Sequence, residues 1–151
     1  MSIKPRIFSD SEDNAYPVTE ETIHALERKC GIQFPEFLKS YYLEYDGLPV
    51  RRCHFHFLND DFYLLKLATI APGEMNIESL LTQRDFSEHI PEGWIPVGSA
   101  SNEELFFFDP ITEAVFLVDL NKGIPQLAAF SIEKFFEQLD QSFSEPSRKA
   151  E

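Results

Sequence analysis

Apolar residues recur with helical spacing as far as Tyr45 and with strand character from Cys53 onward, and this one change of period constrains the fold more than any other feature. Two helices, then a run of strands, then a closing helix form an α+β order, not alternating strand–helix–strand units. The order of elements predicts a single α+β domain.

Local signals place the elements. Thr19 is a good N-cap, Glu20 and Glu21 put negative charge in the first turn, and Val18 with Ile23 has the spacing of a hydrophobic staple. Ile23, Leu26 and Cys30 follow on one helical face, and Gly31 is a natural stop. Pro35 suits the first position of a second helix, whose face carries Phe37, Leu38, Tyr41, Tyr42 and Tyr45. Asp46-Gly47 ends it and Pro49 bars its continuation. CHFHFL alternates, Asn59-Asp60-Asp61 reads as a turn, and FYLLKL follows, which together predict a hairpin. Met75 to Phe86 reads as a short helix between breaks at Pro72-Gly73 and Pro91-Glu92-Gly93. Strands are expected over Glu104–Asp109 and Ala114–Leu120, after which Lys122-Gly123 should turn the chain out of the sheet. Ser131 caps a last helix bearing Ile132, Phe135, Phe136 and Leu139, with Phe143 beyond.

The chain of 151 residues fits one domain. Residues 1–16 read as a loose polar arm with room for one more strand, 17–143 as the domain and 144–151 as a polar tail. With 43% hydrophobic residues and 15 Phe, a core needs no help from metal or disulfide. Two separated thiols, Cys30 and Cys53, make no disulfide framework, so a reducing cytoplasm is expected. The N-terminus has no apolar signal region, and no apolar run approaches the ~20 residues of a membrane span. The net charge of −13, from 26 acidic and 13 basic residues, argues against a nucleic-acid partner and for a basic protein.

Catalytic chemistry has few candidates. His54 and His56 share a strand face and could converge on a metal with Asp60, Asp61 or Cys53 as third ligand. The same alternation more simply turns Phe55 and Phe57 inward and leaves both imidazoles in solvent. Cys53 adjoins His54 but points the other way, and Cys30 reads as a small core hydrophobe. Glu20-Glu21 serves the helix dipole, whereas Asp60, Asp61, Glu103 and Glu104 are solvated carboxylates available to a basic partner. No phosphate-loop, dinucleotide, zinc-protease, serine-elbow or paired-cysteine motif occurs. No cofactor is expected and no catalytic residue is assigned.

The segment VTEETIHALERKCGIQFPEFLKSYYLEYDGLPV resembles the opening of the SUKH superfamily, the Smi–Knr family. Its features are Glu27 within the first helix, Gly31, Phe34-Pro35, Tyr41-Tyr42 and Asp46-Gly47. GWIPVGSASNEELFFFDPITEAVFLVD is similar to that family's central strands, and LAAFSIEKFFEQL to its closing helix. Asp46-Gly47-Leu48 departs from the commoner Asn-Gly-Gly, and SASNEEL lacks the glycines often found there. The resemblance implies an α+β fold, a single domain with a central, mostly antiparallel sheet and two N-terminal helices and a C-terminal helix packed on it, and, for bacterial members, an immunity protein that occludes a cognate toxin, often a nuclease. Eukaryotic relatives imply the alternative of a regulatory scaffold.

Overall fold

The computed structural model of the chain describes residue 8 and residues 15–48, 50–82, 90–101 and 103–142. The first helix, α1 (Glu20–Cys30), forms where its caps require: Thr19 Oγ1 accepts the Thr22 N–H at 3.2 Å. Gly31 closes it in the left-handed conformation, its N–H donating to the Glu27 carbonyl at 2.9 Å. Val18 and Ile23 are both buried, as a staple demands. In α2 (Glu36–Tyr45), Pro35 is the N-cap, one residue earlier than expected, with the same benefit from its missing N–H. Gly47 follows at φ 82°, and a Cβ there would lie 3.3 Å from the Tyr16 Cβ, so both the conformation and the space call for glycine.

Strands β1 (Cys53–Phe57) and β2 (Asp60–Leu64) pair antiparallel as a hairpin whose loop is Leu58-Asn59. Asp60 and Asp61 therefore belong to a strand and not to a turn. Two residues suffice to reverse the chain, and burying Phe62 and Leu64 opposite Phe55 and Cys53 fixes the register.

FYLLKL does not continue as one strand. It breaks at Leu65, whose N–H donates to the Ser99 carbonyl, and β3 (Lys66–Leu67) joins a different sheet. That sheet has the order β3-β4-β5-β6-β7 with every neighbour antiparallel, through β4 (Ile95–Ser101), β5 (Glu104–Phe108), β6 (Val115–Asp119) and β7 (Pro125–Ala129). The crossing is possible because β4 has a glycine beneath it. A Cβ on Gly98 would stand 2.8 Å from Leu64 Cδ1 and 2.9 Å from the Lys66 carbonyl oxygen. After Lys122-Gly123 the chain does not leave the sheet but returns as β7. PQLAA lacks strand periodicity, and its pairing is supplied by the apolar β6 beside it.

The third helix, α3 (Ile77–Leu81), is shorter than expected and starts at Asn76, whose side chain accepts the Ser79 N–H. Its expected extension to Phe86 passes out of the described residues after 82. Pro49, Phe143 and the tail 144–151 also lie outside them, as does the arm apart from Phe8, Ala15 and Tyr16. Phe8 is buried, bridges to Val50 and stacks on Tyr41. The last helix, α4 (Ile132–Gln141), buries Ile132, Phe135, Phe136 and Leu139, with Ser131 accepting the Lys134 N–H.

Strand β5 is buried on both faces. Phe106 and Phe108 enter the main core with the helices and the hairpin, while Leu105 and Phe107 pack with Leu80, Trp94 and Val118 behind the sheet. No helix among the described residues is long and apolar enough to cross a membrane.

Candidate functional site

The outer face of the hairpin is polar because its inner face is not. Phe55 and Phe62 stack inward with centroids 5.3 Å apart, which turns His54, His56, Asp61 and Tyr63 outward. His54 lies over the Tyr63 ring at 4.7 Å. Asp61 Oδ1 bridges the two imidazoles, 3.1 Å from His54 Nε2 and 3.0 Å from His56 Nδ1.

This arrangement sets the local titration. The hydrogen bond to Asp61 raises the His56 pKa, helped by the Asp61 charge, the Leu58 carbonyl and Asp60, and partly offset by desolvation. Reciprocally, His56 and then His54 hold the Asp61 carboxyl below its ordinary value. Since the His56 pKa is raised on folding, its pairing is complete below the ordinary imidazole pKa and is lost as pH rises through the folded value. Asp61 pairing is present above the ordinary carboxylate pKa and is lost as pH falls through its depressed one. An NMR titration should find His56 protonated to higher pH than a free histidine, with Asp61→Asn returning it toward the ordinary range. An identical midpoint in both proteins would show that Asp61 does not hold the ring.

Among the described residues no three His, Cys, Asp or Glu side chains are arranged to hold a metal ion, the His54–Asp61–His56 set included. Cys53 faces the core, where its Sγ donates to the Arg51 carbonyl and burial pushes the thiol up to about 11. Burial also raises the Cys30 thiol. At both sulfurs burial disfavours the thiolate form.

The four carboxylates singled out in the sequence are only partly brought together. Asp61 and Glu104 line one cleft of about 410 Å³ between the hairpin and the main sheet, with Arg52, Tyr63 and Gln126 also on its wall. Alternation places Asp60 on the opposite hairpin face from Asp61, opposite Phe57 in the register. Glu103 stands in the turn before β5 and accepts a hydrogen bond from Asn121 Nδ2 at 2.7 Å.

Two other acidic residues have roles that the sequence reading did not assign. Glu27 Oε2 accepts the Phe34 N–H at 2.8 Å and so braces the loop between α1 and α2. Asp46 is fully buried, and its two oxygens accept the N–H groups of Ile70 and Ala71 at 2.7 and 2.8 Å. Burial raises the Asp46 pKa against the pull of those two donors. The family resemblance singles out both positions, but their bonding partners are hidden from the local sequence, because each reaches a backbone that folding brings near.

Comparison with known protein families adds a match. The family model described as the SMI1 / KNR4 family (SUKH-1) matches residues 17–138 of the chain. No curated protein matches it closely enough to count as a relative.

Proposed function

Because the chain belongs to the SMI1/KNR4 family (SUKH-1), whose members are typically immunity proteins of toxin systems, we propose that it binds and neutralises a cognate toxin by occlusion. The family match carries this reading. The charge of −13 supports a basic partner, a nuclease-type toxin domain being the natural candidate, since an inhibitor of opposite sign is captured faster. Asp61 and Glu104, which share the cleft wall, are the central contacts, with Glu103 next to Glu104 in the chain and Asp60 on the other hairpin face adding negative charge. The protein works as a binding module in the cytoplasm and not as an enzyme.

The test is affinity capture of the tagged chain from its own cells at low and moderate salt. One basic, toxin-like protein recovered in near-equal amount supports inhibition. Recovery of signalling or cell-wall proteins favours the second reading, a regulatory scaffold, which the eukaryotic side of the family suggests. Reversing Asp60, Asp61, Glu103 and Glu104 together to Lys is expected to weaken partner binding by at least about a hundredfold. Exposed ion pairs contribute little to stability, about 0–1 kcal/mol each, so the melting temperature should barely move. Unaltered affinity would remove this surface from the contact.

A further inference from the structure

The hairpin tip and the start of α4 carry an apolar group that the acidic surface does not explain. Leu58, first of the two loop residues, sits at φ 57°, a conformation that glycine adopts freely and a branched side chain resists. Yet its side chain is 60% exposed. Beside it, Phe57 meets Phe130 edge to face with centroids 5.0 Å apart, and Phe130 is itself 63% exposed. Phe130 is fixed between the last residue of β7 and the Ser131 cap of α4, so it stands on rigid elements. Ile111 and Ile124 are exposed too, in the connections before β6 and β7, as scattered surface apolar residues often are. Phe57 and Phe130 are in contact and Leu58 follows Phe57 at the hairpin tip, where a strained backbone holds an apolar residue in water.

Charge says what would cover it. Asp60 follows two residues after Leu58, Asp61 sits on the outer face, and the chain as a whole is strongly acidic. Resting on the reading of the protein as a binder of a basic partner, we infer that Leu58 and Phe130 are its apolar anchor. They enter a socket on the partner whose rim is Lys and Arg, with Asp60 and Asp61 meeting that rim. Interfaces of this kind place a few apolar or aromatic anchors within a polar surround that excludes water.

The test uses the full chain and two synthetic probes, a peptide of alternating Leu and Lys and an all-Lys peptide of equal charge. Leu58→Gly and Phe130→Ser, singly and together, are compared with the fourfold charge reversal. Glycine suits the loop conformation, so Leu58→Gly should keep or raise the melting temperature and report on binding alone. The inference expects the double variant to lose at least about tenfold in affinity for the Leu–Lys peptide while holding the all-Lys peptide as before. Equal Leu–Lys affinity in the double variant and the parent overturns the apolar anchor, and the acidic contact stands if charge reversal still weakens both peptides. Charge reversal without effect on either peptide sinks the basic-partner reading itself. A chain that binds neither peptide at low salt overturns both.

Discussion

Phe106→Ala is expected to cost about 3–5 kcal/mol, the range for deleting a fully buried phenylalanine, and to lower the melting temperature by about 10 °C. The size follows from what the ring touches. Its centroid lies 5.0 Å from Phe135 on α4 and 6.4 Å from both Phe55 and Phe62 on the hairpin. Phe106 is thus the common neighbour of β1, β2 and α4, and it is completely buried. Removing it leaves a hole between two sheets and a helix that cannot all close on it at once. Chemical denaturation should show the loss, whereas Ile111→Ala, at a site 89% exposed, should stay within about 0.5 kcal/mol of the parent. A loss below about 1 kcal/mol at Phe106 would mean that the hairpin is not held through this ring.

Asp46→Ala comes next, with an expected loss of about 2–4 kcal/mol. Two N–H groups, from Ile70 and Ala71, lose their only charged acceptor, and the end of α2 loses its tie to the segment that leads into α3. Asn at this position keeps one acceptor oxygen for two donors, so Asp46→Asn should fall between the parent and Asp46→Ala. A pH series adds a second readout. With its pKa raised on folding, Asp46 binds its proton more tightly in the native state, and stability falls as pH rises from the ordinary carboxylate pKa to the raised one. Both variants should lack that slope. If Asp46→Ala unfolds at the parent's denaturant concentration, the two hydrogen bonds contribute nothing net.

Helix ends were legible because their signals are local. Thr19, Gly31 and Ser131 each satisfy a backbone group within four residues, and each acts as its sequence position predicts. The outward-facing histidines followed from alternation alone. What the sequence hid is non-local. The break at Leu65 depends on a carbonyl at Ser99, and β7 depends on the strand beside it. Asp60 and Asp61 looked like one acidic pair in a turn, but the hairpin register sends them to opposite faces. Asp61 and Glu104 share a cleft although 43 residues separate them, which no spacing rule could reveal.

The open rims of the five-stranded sheet bear on how the protein behaves when crowded. A sheet that ends in a long strand offers unpaired backbone groups to any passing chain, the route to fibres and tangled dimers. Here one rim is β3, only two residues long, and the other, β7, begins with Pro125, which has no N–H to give. These blunted rims disfavour edge-to-edge pairing, so copies of the folded chain should stay apart even when they are concentrated.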